Sequence, residues 1–75
     1  MAKDRKYGTV TVELGTLGED EPVFILRGQD VLAIETLTHY REQADRFGCT
    51  DNFRGSVNEA IEYFRSWSGA RKIPD

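Results

Sequence analysis

The chain of 75 residues is poor in the side chains that most often carry chemistry, with one cysteine, Cys49, and one histidine, His39. A single cysteine excludes an internal disulfide and favours a reducing, cytosolic setting. One Cys and one His cannot complete a zinc site within the chain. They also lack the orienting third group of a nucleophilic pair, and acid–base catalysis needs a cleft that so small a domain seldom builds. We therefore expect no enzyme, no catalytic residue, no metal and no cofactor.

Long hydrophobic runs and a basic excess are also missing. No run approaches the roughly 18 apolar residues of a membrane span, and no apolar segment of a signal peptide follows the basic start at Met1 to Lys6. We therefore expect neither secretion nor membrane insertion. The formal net charge of −3 makes a nucleic-acid backbone a less favoured partner, because domains that bind it carry an excess of positive charge.

Composition and length favour one small folded domain over residues 1–75. Hydrophobic residues make up 39% and charged residues 31% of the chain, which is typical of a globular protein. A domain of this size buries only about 60% of the surface that its unfolded chain exposes, so its stability is marginal. We expect a basic N-terminal tail over residues 1–6 and a C-terminal tail over residues 70–75, since Gly69 and Pro74 end helical structure.

Two strands are predicted in the first half of the chain. From Tyr7 to Leu14 apolar and polar residues alternate, which is the period of a half-buried strand. The run from Pro22 to Leu26 is apolar on both faces and predicts a second strand. Glycines and acids fill the connection from Gly15 to Glu21 and favour a turn. The pattern therefore predicts an antiparallel hairpin.

Two helices are predicted in the second half. Asp30 is a suitable N-cap for the first helix, and Gly48 is a suitable C-terminal stop. The second helix begins at Ser56, which has capping-box spacing with Glu59, or earlier at Asn52. Together the elements predict an α+β fold in which a β-hairpin is followed by a two-helix hairpin (β-β-α-α). We expect the helices to pack on one face of the β-hairpin.

The second face of that hairpin predicts self-association. If Phe24 and Leu26 face the helices, Val23 and Ile25 face away from them. An exposed apolar strip of this kind usually marks a protein contact. We therefore predict a homo-oligomer, by default a two-fold dimer, with strand Val23–Leu26 at the interface.

The corner Arg27-Gly28-Gln29-Asp30 is a candidate binding site. It joins the second strand to a helix N-terminus, where free backbone N–H groups favour an anion. Arg27 can bind a phosphate with its bidentate fork, and Gln29 can hydrogen-bond a base or a sugar. The alternative is purely structural: Asp30 caps the helix, Gly28 forms the turn and Arg27 makes an ion pair.

Cations and aromatic residues also gather along the last helix and the tail, at Arg54, Tyr63, Trp67, Arg71 and Lys72. Aromatic faces can stack on a nucleobase while guanidinium groups pair with its phosphate. The alternative is that Trp67 belongs to the core and that Tyr63 is an ordinary surface tyrosine. The predicted ligand-binding residues are Arg27, Gln29, Arg54, Tyr63, Trp67 and Arg71.

Three segments carry a resemblance to known proteins: P-V-F-I-L-R-G-Q-D from Pro22, V-L-A-I-E-T-L-T-H-Y directly after it, and K-I-P-D at the end. Together they look like small proteins encoded by bacteriophages and prophages. The resemblance implies an accessory protein in the cytoplasm of an infected bacterium. Compact oligomeric phage proteins without enzymatic apparatus often act by sequestration or blockade of host defence. Sponge proteins among them trap cyclic nucleotide or cyclic ADP-ribose signals in pockets shared between subunits. The resemblance therefore implies a non-enzymatic protein that binds and sequesters a phosphorylated, nucleotide-like signal.

Two other functions stay open. A strand followed by two helices is similar to the ribbon-helix-helix repressors, and Ala44 with Gly48 is similar to the turn of a helix-turn-helix. The strand is apolar where a DNA-binding ribbon is polar, and Arg54 stands where a recognition helix needs an apolar residue. A protein-binding inhibitor of a host defence complex would use an acidic surface that mimics nucleic acid, although Arg41 and Arg46 interrupt that surface.

Overall fold

The computed structural model describes residues 2–75, which form two short strands followed by two helices. In chain order the elements are β1 (Ala2–Asp4), β2 (Gly8–Val10), α1 (Ala33–Arg46) and α2 (Asp51–Ser66). β1 and β2 form an antiparallel hairpin, and α1 packs against α2. The predicted α+β class and the β-β-α-α order are confirmed.

The hairpin lies earlier in the chain than predicted. β1 falls within the expected N-terminal tail, whose first residue, Met1, lies outside the described residues. Of the predicted strand from Tyr7 to Leu14, only Gly8–Val10 is in the hairpin. The Asp4 carboxylate accepts the backbone N–H groups of Lys6 and Tyr7 at 2.8 and 2.9 Å, which closes a tight turn. This short loop loses less chain entropy on closure than the long connection that we expected.

The apolar run from Pro22 to Leu26 is not part of the antiparallel hairpin, so this prediction is wrong. It lies instead along the other edge of β1, where it makes a parallel bridge between Lys3 and Pro22. The N–H of Lys3 donates to the carbonyl oxygen of Glu21, and the N–H of Val23 donates to that of Lys3, both at 3.1 Å. β1 is therefore paired on both sides.

The directions predicted for Val23 and Phe24 are wrong as well, whereas Ile25 is exposed and Leu26 is half-buried, as expected. Phe24, which we expected to face the helices, is 83% exposed, whereas Val23 is half-buried. Within residues 2–75 no strand contacts a helix, so the helices do not pack on the hairpin as expected. The hydrogen bonds to β1 determine which side chains of this run point outward. The apolar periodicity of the sequence does not reveal these hydrogen bonds.

α1 begins later than predicted and ends where predicted. Asp30 is not its N-cap, because the Asp30 carboxylate accepts the N–H of Leu32 and closes a turn before the helix. At the other end Gly48 has a φ of 70°, in the left-handed region. The N–H of Gly48 donates to the carbonyl oxygen of Asp45, and that of Cys49 to Ala44, which is the Schellman pattern of helix termination.

α2 begins before both predicted starts. Thr50 is its N-cap and accepts the N–H of Phe53 at 3.1 Å, so the capping box predicted at Ser56 is wrong. The alternative start at Asn52 is one residue from the observed one, and Gly55 is tolerated inside the helix as that alternative required. The helix ends at Ser66, three residues before the predicted stop at Gly69.

The core of the chain is small. Within residues 2–75 the buried hydrophobic residues are Ala2, Ala33, Ala44, Val57 and Ile61. Ile61, at 2% exposure, is the largest of them, and it lies on α2, which packs against α1. The helix pair therefore depends on few apolar side chains, because alanine removes little apolar surface from water.

We predict that Ile61→Ala lowers the free energy of unfolding by about 2 to 5 kcal/mol, since it removes buried methyl groups and leaves a cavity. Urea unfolding followed by circular dichroism at a fixed protein concentration measures the change. Ile73→Ala is the matched control, because Ile73 is 81% exposed. An equal effect of the two substitutions would contradict the position of Ile61 in the core.

Candidate functional site

The predicted corner at Arg27–Asp30 lies against the segment that follows α2. The N–H of Lys72 donates to the carbonyl oxygen of Gln29 at 2.7 Å, and the N–H of Val31 donates to the carbonyl oxygen of Lys72 at 3.1 Å. Lys72 and Asp30 thereby form a parallel bridge. The C-terminal segment is thus anchored by its backbone at Lys72. We name residues 27–30 and 67–72 together the corner–tail surface.

Trp67 lies between two glycines of this surface. A Cβ atom added at Gly28 would lie 3.3 Å from Cδ2 of the indole, and one added at Gly69 would overlap the six-membered ring. Both glycines therefore let the backbone approach the ring closely. Trp67 is still 44% exposed, so it is neither a fully buried core residue nor a free surface ring. Its accessible part is available for stacking.

The cations of the corner–tail surface differ in whether they have a partner within the chain. The guanidinium of Arg71 donates to the carbonyl oxygen of Phe64 near the end of α2. Nζ of Lys72 lies 3.5 Å from the carboxylate of Asp75. Among the described residues Arg27 has no ion-pair partner, so the structural alternative in which Arg27 makes an ion pair is not found there. Arg27 is exposed and can take a ligand without giving up a pair.

Arg54 lies away from this surface. It is in the first turn of α2, about 20 Å along the helix axis from Trp67. Its guanidinium pairs with Asp51 and, at 3.2 Å, with Asp45. Hydrogen bonds to Asp51 and then to Asp45 raise the pKa of Arg54. The charge of Arg54 is therefore neutralised by carboxylates on α1 and α2, and the fold does not bring Arg54 to the other predicted ligand-binding residues.

Tyr63 is near the end of α2 and is 76% exposed. Its ring lines a shallow depression with Glu59, Glu62 and Ser66. Glu62 pairs with Arg65 at 3.2 Å, and Glu59 adds a second carboxylate to the lining of the depression. Since a carboxylate repels phosphate, Tyr63 has less favourable surroundings for the predicted ligand than Trp67 has.

A second cation-bearing surface lies beside the β-hairpin, and its cations belong to the segment predicted as a tail. We name it the hairpin groove; it has a volume of about 470 Å³ and is lined by residues 3–7 and 22–25. It carries two aromatic rings, Tyr7 and Phe24, and Nζ of Lys6 lies 5.7 Å from the centroid of the Tyr7 ring. The signal that could have revealed it is the sequence K-D-R-K-Y, three cations followed by an aromatic residue.

Asp4 is one of the residues that line the hairpin groove. It is buried, and its carboxylate accepts three backbone N–H groups, from Lys6, Tyr7 and Ile25. The bond from Tyr7 lowers the pKa of Asp4 most, those from Lys6 and Ile25 lower it further, and burial acts in the opposite direction. The net pKa lies below its ordinary value of 3.8, because the ionised carboxylate is the better acceptor.

These features define an α+β chain with two exposed surfaces that combine cations and aromatic rings. Within residues 2–75 no three His, Cys, Asp or Glu side chains are grouped so as to hold a metal ion. Neither described helix is long and apolar enough to span a bilayer. Comparisons with protein families, curated proteins and solved structures found no match to the chain.

We predict that Gly69→Ala destabilises the chain by about 1 to 3 kcal/mol, because the new methyl group forces the indole of Trp67 to move. Trp67 is the only tryptophan, so urea unfolding and the emission wavelength of its fluorescence report the change together. Gly55→Ala is the control: it lies in α2 with open space around it and should stabilise by about 0.5 to 1 kcal/mol. Unchanged emission in Gly69→Ala would contradict the packing of Trp67.

We predict that Asp4 makes stability depend on acid pH. In the unfolded chain Asp4 takes up a proton near pH 3.8, whereas in the folded chain its lowered pKa keeps it ionised to lower pH. Its contribution to the free energy of unfolding is therefore present above pH 3.8 and is lost as the pH falls through the folded value. Asp4→Asn should lower stability at neutral pH and flatten this acid dependence.

The measurement for Asp4 is a set of urea unfolding curves from neutral pH down to pH 3. Glu13→Gln serves as control, because Glu13 is exposed and should leave the curves unchanged. If Asp4→Asn kept both the stability and the acid dependence of the wild-type chain, the three hydrogen bonds to its carboxylate would have no energetic role.

Proposed function

We propose that this chain is a non-enzymatic binding protein that captures a phosphorylated, nucleotide-like molecule at the corner–tail surface. The observation that supports the proposal is the backbone pairing of Lys72 with Gln29 and Val31. This pairing fixes the C-terminal segment beside the corner, so that Arg27 and the half-exposed Trp67 belong to one surface.

The chemistry of capture follows from the groups on this surface. The guanidinium of Arg27 offers a phosphate two parallel N–H donors. The accessible face of Trp67 stacks on the base, which is a sequence-tolerant interaction worth about 1 to 3 kcal/mol per base. The side chain of Gln29 donates to or accepts from the base or the sugar. The ligand is held and released unaltered.

We place this capture in the cytoplasm of an infected bacterium, where removing a nucleotide signal would act against host defence, as the resemblance to phage proteins implies. The proposed protein works as a homo-oligomer. Val23–Leu26 is the interface segment predicted from the sequence, and it stays a prediction.

The hairpin groove supports the same ligand chemistry at a second position. Its lining includes Lys3, Arg5 and Lys6, but Lys3 already lies 3.2 Å from the carboxylate of Asp20. Arg5 and Lys6 are thus its cations for an anionic ligand, with Tyr7 and Phe24 as stacking rings. Binding measurements on variants of each surface distinguish between the two positions of the ligand.

A DNA-binding regulator has less support. The exposed side chains of α2, the helix that would enter the major groove, include Asp51, Glu59 and Glu62. Carboxylates at these positions repel the phosphate backbone. The groove-binding strand of a ribbon-helix-helix protein would be β1 or β2, and each has only three residues.

We predict that Arg27→Ala weakens nucleotide binding about 10- to 100-fold, the loss expected when a charge-assisted hydrogen bond to phosphate is removed. Isothermal titration calorimetry with linear and cyclic nucleotides, and with inorganic phosphate, measures the affinity. Arg65→Ala is the matched control, because Arg65 lies on α2 in a pair with Glu62 and should leave affinity unchanged.

A double variant, Arg5→Ala with Lys6→Ala, tests the hairpin groove in the same titrations. If only the double variant loses affinity, the ligand binds beside the hairpin and the corner–tail surface is wrong. If the wild-type chain binds no nucleotide of the panel, capture of a nucleotide-like molecule is refuted at both positions.

A further inference from the structure

The single chain exposes more surface than a compact monomer of its mass. Its accessible surface is 6136 Å² at 8.5 kDa. A compact monomer of that mass exposes about 4,700 Å², so the chain exposes about 1,500 Å² more. A standard protein–protein interface buries about 800 Å² on each partner. The excess therefore exceeds what each copy buries in a stable dimer.

Exposed apolar side chains lie where α1 ends and α2 begins, since Phe47 is 82% and Phe53 is 39% exposed. An apolar groove of about 390 Å³ is lined there by Tyr40, Gln43, Ala44, Phe47, Cys49 and Phe53. We name it the helix-end groove. The rings of Tyr40 and Phe53 meet edge to face, with their centroids 6.2 Å apart, and join the two helices across it. Phe47 stands at its rim and is 82% exposed.

We infer that the helix-end groove is the interface for a second copy of this chain, with Phe47 of each copy inserted into the groove of the other about a two-fold axis. A two-fold interface must be self-complementary, because the same patch is used by both copies. This patch offers a protruding ring and an apolar hollow side by side. The inference rests on the self-association in the proposed function and assigns it to a different surface.

The charges around the helix-end groove suit contact with an identical copy. Asp45 and Arg46 lie in the last turn of α1, and Asp51 and Arg54 lie in the first turn of α2. The two acids balance the two bases, so a second copy meets no net like charge. A partner of strong single charge would gain nothing from such a rim.

The segment predicted from the sequence as the interface is less suitable. Its backbone is already used, since the N–H groups of Val23 and Ile25 donate to β1. Its exposed ring, Phe24, adjoins the hairpin groove with Arg5 and Lys6. A two-fold contact there would bring these cations against their own copies, and like charges across an interface oppose association.

The test compares two phenylalanines of nearly equal exposure, Phe47 at 82% and Phe24 at 83%. We expect the wild-type chain to sediment as a dimer over a dilution series in the analytical ultracentrifuge. Phe47→Asp should raise the dimer dissociation constant at least about 30-fold, the loss of a central interface residue. Phe24→Asp should change it by less than about threefold, as an exposed substitution outside the interface does.

Cys49 gives a second readout that depends on position, because it lines the helix-end groove and is the only thiol. Its rate of alkylation should rise on dilution of the wild-type chain and should be high at all concentrations in Phe47→Asp. Circular dichroism of each variant checks that α1 and α2 are retained.

The outcomes separate this inference from the proposed self-association. A wild-type chain that is monomeric at all concentrations overturns both. A dimer that survives Phe47→Asp, or that dissociates in Phe24→Asp, overturns the helix-end interface while self-association stands. Selective dissociation by Phe47→Asp, with faster alkylation of Cys49, supports the inference.

Discussion

The rest of the structure depends on the contact between α1 and α2. This contact buries few large side chains, so it limits the apolar surface that the chain removes from water. Ile61 and Val57 are buried on α2, and alanines are buried on α1. Since alanine contributes little apolar area, the helix contact removes few large side chains from water. The aromatic residues Phe47, Phe53, Tyr63 and Trp67 are left exposed on or beside the helix pair. The exposed aromatic surface of the helix pair follows from this small contact.

Backbone hydrogen bonds connect segments of the chain that the small hydrophobic core does not hold together. β1 pairs on one side with β2 and on the other with the apolar run, and Lys72 pairs with the corner before α1. The pairings of β1 with the apolar run and of Lys72 with the corner connect parts of the chain that are far apart in sequence, without needing large buried side chains. They also determine which side chains share a surface. Arg27 and Trp67 share one through Lys72, and Lys6 and Phe24 share another through β1.

Local patterns in the sequence predicted the elements that local interactions determine. Gly48 ends α1 as expected, because a left-handed residue is needed where the helix stops, and glycine adopts it without strain. The order of strands and helices was likewise predictable. The position of the apolar run was not, since it depends on hydrogen bonds that Val23 and Ile25 donate to β1, far back along the chain. Nothing in the alternation from Tyr7 to Leu14 reports such a bond.

The candidate site was predictable to a similar degree. Residue type alone indicated Arg27, Gln29, Trp67 and Arg71, and their two segments do meet. Arg54 was indicated on the same grounds, but its charge is neutralised by two carboxylates, one on α1 and one on α2. Composition cannot distinguish a cation that is available to a ligand from one that is engaged within the fold. The cations of the hairpin groove were missed for the opposite reason, because a basic start resembles a tail.

Native mass spectrometry of the chain purified from a bacterial lysate tests the central claim, that an assembly of this chain holds a small phosphorylated ligand. We predict the mass of two chains with an unmodified nucleotide-like molecule that is released on denaturation. A bare monomer, with no retained small molecule and no assembly at any concentration, would contradict it.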